Sequence, residues 1–175
     1  MQNALVAVIA AGSLAGCSGD DGFDGGPESP MATSTITEYM GGRVTGTATF
    51  IEDQSGTPVD SVTLRLTIRG CVEGKVYGVH IHAGSACTDN ASQGEHWDTA
   101  RGEGIPSITC VTAGMIPSGT SGTTTINRVA TDPLLAWSVG GDIATDVIGH
   151  TIVVHDPDVP MTRVACGVIA PKTSE

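Results

Sequence analysis

An all-β domain of short antiparallel strands is the architecture this 175-residue sequence predicts, and three observations carry that prediction. Glycine is abundant, at 24 residues, while aromatic residues make up 3% of the chain; with frequent Thr and Val, that balance suits strands joined by tight turns. Apolar and polar residues alternate with a period of two over several short runs, the signature of half-buried strands. No long amphipathic helix is legible, and no internal repeat. The length allows one domain with a sizeable core plus tails.

The first segment stands outside that domain. Ala4 to Gly16 is a short, uncharged, mostly apolar run ending in Leu14-Ala15-Gly16-Cys17. It is too short to span a bilayer as a helix. It resembles a bacterial lipoprotein signal, in which cleavage precedes the cysteine and the cysteine is acylated, because two small residues precede Cys17 and a Leu precedes them. An ordinary secretory peptide, with Cys17 lost or free, is the alternative. Five cysteines is an odd count, and Cys17 is the one set apart. The organisation expected is a signal over 1–16, a flexible Gly/Asp/Ser/Pro-rich tether over 17–40, a folded domain over 41–171 and a short tail over 172–175. Export to the cell envelope, periplasmic or outer-surface, would leave Cys71, Cys87, Cys110 and Cys166 where disulfides persist.

Within the domain, Val44, Gly46, Ala48 and Phe50 alternate with Thr45, Thr47 and Thr49, a strand. A turn at Gln54 to Pro58 follows. Val62, Leu64, Leu66 and Ile68 then alternate with Thr63, Arg65, Thr67 and Arg69, the cleanest strand in the chain. Gly78-Val79-His80-Ile81-His82 is the next. Residues 83–106 lack periodicity and contain Cys87 and His96; a loop of that length inside a compact domain is commonly functional. Strand-like runs resume near Ile108 to Val111, Thr123 to Val129, Leu134 to Val139, Gly149 to His155 and Arg163 to Ile169. About eight short strands with turn-rich joints make an antiparallel sandwich or flattened barrel.

The chemistry lies in the five histidines. His80 and His82 sit two apart on a strand, so they share a face with backbones about 7 Å apart, a spacing that suits one metal ion. His155 ends the run from Gly149 and shares a face with Val153 and Thr151; His150 falls on the opposite face and reads as a bystander. His96 lies in Gly94-Glu95-His96-Trp97-Asp98. One histidine alone is usually a surface or hydrogen-bonded residue. Four of them, His80, His82, His96 and His155, spread over two strands and a loop, point to a nitrogen-rich site for copper or zinc. The net charge of −11 disfavours nucleic acid and anionic membranes as partners. Four cysteines allow three pairings, and no C-x-x-C spacing supports a cysteine metal site.

Four pieces, Gly78-Val79-His80-Ile81-His82, Gly94-Glu95-His96, Gly149 to His155 and Arg163-Val164-Ala165-Cys166-Gly167-Val168-Ile169, together resemble the copper/zinc superoxide dismutase family, in family order and over roughly residues 42–170. The resemblance implies a Greek-key eight-stranded antiparallel β-barrel in which His80, His82, His96 and His155 bind one copper. It puts His96 in the place of the histidine that bridges copper and zinc, and Arg163 in the place of the anion-guiding arginine. It also implies a Cys87–Cys166 disulfide, leaving Cys71 and Cys110 to form a second.

Two departures from the family shape the expectation. The zinc subsite needs two more histidines and an aspartate after the bridging position, yet no histidine lies between His96 and His150, and Thr99 to Met115 offers Gly, Ile and Val instead. Zinc is therefore not expected. The loop from Asp156 to Thr162 holds seven residues, so the family's long charged loop is missing. Both losses resemble the family's copper-only branch, with an open, shallow site. The second ring nitrogen of His96 would then need a carboxylate partner: Glu103 first, with Asp98 and Glu95 as the other candidates. The expected activity is dismutation of superoxide, a small anion, to oxygen and hydrogen peroxide. The rivals are a copper storage or delivery protein on the same fold, which the absence of Met-rich or Cys-rich segments argues against, and a barrel that has lost activity. The oligomeric state is not written in any segment.

Overall fold

The computed structural model describes residues 29–53, 61–97, 104–112, 120–129 and 136–172. The signal, Cys17, Asp98, Glu103 and residues 173–175 lie outside them. The elements are β1 (Met31–Glu38), β2 (Thr45–Asp53), β3 (Ser61–Arg69), β4 (Val76–Tyr77), β5 (Val79–His82), α1 (Asn90–Gln93), β6 (Ile108–Thr109), β7 (Val111–Thr112), β8 (Thr120–Val129), β9 (Thr151–His155), β10 (Arg163–Val168) and β11 (Ala170–Pro171). Eight strands form one antiparallel curled sheet in the order β5-β9-β10-β1-β2-β3-β8-β7, with β11 beside β1. The sheet's two edges, β5 and β7, continue the short strands β4 and β6. These pair with each other through Val76↔Thr109 and Tyr77↔Ile108, so the curl is tied together at that corner.

The period-two pattern becomes the two faces of this sheet. On β3, Val62, Leu64, Leu66 and Ile68 are all at or below 2% exposure, while Arg65 between them is exposed. Ala48 and Phe50 of β2, Val79 and Ile81 of β5, and Ile152 and Val154 of β9 turn to the same interior. Each large aliphatic or aromatic side chain so buried contributes roughly 1.5–3 kcal/mol. Two disulfides staple the periphery: Cys71–Cys110 beside the β4–β6 corner and Cys87–Cys166 between the loop after β5 and β10. Cross-links of this kind persist in oxidising compartments.

Two expectations need correction. The tether predicted through residue 40 is shorter, because Met31–Glu38 forms β1 between β2 and β10. Its inward positions, Ala32, Ser34 and Ile36, include two small residues that weaken the hydrophobic signal. At Ser34 a neighbouring backbone comes close: a side chain on Gly167 would collide with Ser34 Oγ and the Thr35 carbonyl. The strand predicted over 134–139 is also not formed where the structure describes it. Over 136–139 only Ser138 bridges, to Asp146. Ala136, Trp137 and Val139 are buried as a core-lining loop, with Trp137 edge-on to Phe50 at 5.6 Å. Asp146 holds the following turn, its Oδ1 accepting from Gly140 N and Ile148 N. A short apolar run does not by its periodicity distinguish a strand from a buried loop.

Candidate metal centre

Three neighbouring strands and one loop assemble the site. His80 and His82 project from edge strand β5, and β9 lies beside it in the register His80↔Val153 and His82↔Thr151. His155 ends β9, its N–H donating to Gly78 O at 2.9 Å, which extends the pairing past β5. Arg163 opens β10 directly opposite His155, and an irregularity between Arg163 and Ala165 breaks the ladder there. The strand-end position of both residues places them at the same rim of the barrel.

His96 comes from the loop, which is pressed back onto β5. His82 and His96 form a β-bridge, Ala83 N donates to Glu95 O at 2.8 Å, and Trp97 N donates to Ile81 O at 2.8 Å. The tip of the loop is the single turn α1, capped by Asp89: its side chain accepts from Ser92 N at 2.7 Å while Ser92 Oγ accepts from Asp89 N at 3.0 Å, a capping box. Gly84 and Gly94 let the two arms of the loop touch. A Cβ on Gly94 would lie 2.7 Å from Gly84 N, and one on Gly84 would overlap the Ser92 carbonyl.

The ligand atoms of His80, His82, His96 and His155 lie within 4.8 Å of one another. His80 Nδ1 is 2.9 Å from His96 Nε2, and His82 Nε2 is 3.2 Å from His155 Nε2. The outward nitrogens of the buried pair are committed: His82 Nδ1–H donates to Gly94 O at 2.9 Å, and His155 Nδ1–H donates to Pro160 O at 2.8 Å. Those bonds fix the tautomers, so both Nε2 atoms turn lone pairs toward each other. Two facing acceptors repel unless a cation lies between them, and four imidazole nitrogens converging this way fit a copper or zinc ion. Burial first, then the charge of Arg163 and the neighbouring rings, holds the pKa of His82 down at about 3. Burial first, then the neighbouring His80, holds His155 at about 4. Both rings are thus neutral at neutral pH, and a metal has no proton to displace from them.

His150 stands apart from the four, its ring stacked on Trp97 at 4.2 Å between centroids. Arg163 reaches across to the loop: Nη1 donates to Asn90 O at 2.8 Å and to Gln93 Oε1 at 3.3 Å, and Nη2 donates to Gly94 O at 2.8 Å. The Gly94 carbonyl therefore serves both Arg163 and His82. Asn90, Gln93 and Gly94 were not visible as site residues in the sequence. Their one signal is that they lie between Cys87 and His96, in a loop that Cys87–Cys166 pins to the strand carrying Arg163. Glu95, one of the three candidate carboxylates, is exposed.

Fold and site together define a β-barrel protein in which, among the described residues, a cluster of four histidines that could hold a metal ion lies beside a fixed arginine. The copper/zinc superoxide dismutase profile matches residues 44–169, and the chain belongs to that family. Solved structures similar in fold include the copper(II) form of Candida albicans superoxide dismutase 5, at 18% identity and a TM-score of 0.59, covering 84% of this chain and 95% of that one. A mutant form of the same Candida albicans protein matches at 16% identity and a TM-score of 0.57, covering 85% and 95%. No curated protein sequence matches the chain.

Proposed function

We propose that this chain is a superoxide dismutase that works with one copper and no zinc, exported and held at a bacterial envelope by a lipid on Cys17. The single observation behind the reading is the convergence of four imidazole nitrogens within 4.8 Å, two of them oriented by carbonyl bonds and kept neutral by burial. Copper held by His80, His82, His96 and His155 would supply the one-electron chemistry, oxidising one superoxide and reducing the next. The remaining tasks belong to the chain. Arg163 draws the small anion through an otherwise acidic field; such steering raises encounter rates by orders of magnitude and fades with salt. His96 would supply one of the two protons that the peroxide needs to leave as hydrogen peroxide, its Nε2 carrying that proton only while it is not holding the metal, and solvent would supply the other. A carboxylate, Glu103 before Asp98 or Glu95, accepts from the other nitrogen of His96 and keeps the ring aimed; a Glu103→Gln variant with full copper affinity and activity would remove that role.

The copper-only part of the reading rests on the missing zinc-ligand histidines and the seven-residue span from Asp156 to Thr162. The test is metal quantitation of protein refolded with copper and zinc together, followed by a dismutase assay. One copper per chain, no zinc and rapid dismutation are the expected results. Copper without dismutation would make the chain a store or delivery module, and equal zinc would return it to the two-metal form.

A further inference from the structure

Arg163 is a cation held by neutral acceptors: the carbonyls of Asn90 and Gly94 and the amide oxygen of Gln93. Gln93 is the unusual member of that set. Its residue is fully buried, at 0% exposure, and its Nε2 has no hydrogen-bond partner. Leaving a buried amide N–H unpaired costs about 1–3 kcal/mol. An aliphatic side chain of the same length would escape that cost. So would a glutamate, which carries no donor and bonds a guanidinium more strongly. The amide offers one thing the aliphatic chain lacks, an acceptor for Arg163, and lacks one thing the glutamate has, a negative charge. Turning the amide over would set its N–H groups against those of the guanidinium, donor facing donor. Its polar end is also not needed to anchor the loop. The main-chain carbonyl of Gln93 does that, accepting from Gly84 N at 2.9 Å and from Thr151 Oγ1 at 3.2 Å.

We propose that Gln93 is a positioning residue for Arg163: its Oε1 sets the guanidinium beside the four histidines while leaving the positive charge uncancelled for the incoming anion. The inference rests on Arg163 being the anion guide. Gln93 touches neither metal ligand nor substrate in this role and acts through Arg163 alone.

The test uses copper-loaded protein and azide as the anion, with its dissociation constant read from the copper absorption and electron paramagnetic resonance spectra. Copper content and melting temperature are measured alongside. Gln93→Glu places a carboxylate against the guanidinium, so azide affinity at low salt falls by about tenfold or more, and the dependence on ionic strength flattens. Gln93→Met keeps the volume and loses the acceptor, so affinity falls by about two- to fivefold with the salt dependence retained. Gln93→Asn, which still carries an amide, falls between Gln93→Met and the parent. Arg163→Gln is the reference for the guide itself. If Arg163→Gln weakens azide binding and neither Gln93→Glu nor Gln93→Met does, Gln93 is packing only and the inference is overturned while the guide stands. If Arg163→Gln leaves azide binding unchanged, the guide and the inference fall together. Should Gln93→Glu fail to load copper, Gln93→Met decides alone: an azide constant equal to the parent's overturns the proposal.

Discussion

Opening the Cys87–Cys166 bridge with the double variant Cys87→Ser/Cys166→Ser should damage the metal centre in a way that opening Cys71–Cys110 does not. The bridges close loops with sequence separations of 79 and 39 residues. In the chain-entropy account those loops correspond to about 4.5 and about 3.9 kcal/mol of stability, a difference of only about 0.6 kcal/mol. With a urea dependence of about 2 kcal/mol/M, both double variants should lose about 2 M in unfolding midpoint. Their sites should respond differently. Cys87 and Cys166 join the loop that carries His96 and the three Arg163 acceptors to the strand that carries Arg163. Without that bridge the loop is kept by non-covalent contacts alone: the His82–His96 bridge, a few backbone bonds, and the bonds that His82, Thr151 and Arg163 donate to it. Cys71 and Cys110 tie the β4–β6 corner, away from those contacts. Copper affinity by competition with a chelator and azide affinity by spectral titration, both at temperatures where each variant is folded, separate the cases. The expected result is at least about a tenfold loss of copper affinity for the first variant, about 1.4 kcal/mol, and less than twofold for the second. Equal losses in the two, or none in either, would mean the bridge does not hold the site.

His155→Ala should abolish stoichiometric copper binding, whereas His150→Ala, which removes a ring stacked on Trp97 outside the cluster, should keep one copper per chain by metal analysis. Arg163→Ala should slow dismutation at low ionic strength and lessen inhibition by small anions, and a rate unchanged from the parent would count against its guiding role. The metal-free protein should lose stability in acid. His82 and His155 have folded pKa values of about 3 and about 4, below the 6.5 of a free histidine, so the unfolded chain takes up protons first and stability falls as pH drops from about 6.5 toward those values. Urea midpoints that stay level across that window would contradict the burial assigned to these rings. Phe50→Ala, at 0% exposure and edge-on to Trp137, should cost about 3–5 kcal/mol in urea unfolding.

Much of this fold was readable from local pattern because strand burial repeats every two residues. Val62, Leu64, Leu66 and Ile68 announce their shared face without help from the rest of the chain. The same rule puts His80 and His82 on one side of a strand, and His155 on the face of Val153. What local pattern does not carry is approach between distant segments. Ser34 and Ala32 look like tether until Gly167 is seen against Ser34 and Phe50 paired with Ala32. Leu134 to Val139 looks like a strand until Trp137 is found lining the core as loop. Spacing alone left three pairings of Cys71, Cys87, Cys110 and Cys166 open; the pairing that the family resemblance implied, Cys87–Cys166 with Cys71–Cys110, is the one the structure forms.

The chain's own order of residues determined that it makes a β domain, which side chains of its alternating strands face inward, and which four histidines could share a metal ion. Tertiary structure alone decided that their nitrogens meet, that the carbonyls of Gly94 and Pro160 set the tautomers of His82 and His155, and that Gln93, inconspicuous as a letter, faces Arg163 some seventy positions away. The physical reason is that face and period are properties of neighbours along the backbone. Convergence, burial and hydrogen-bond partnership are properties of segments that meet only after the sheet has curled.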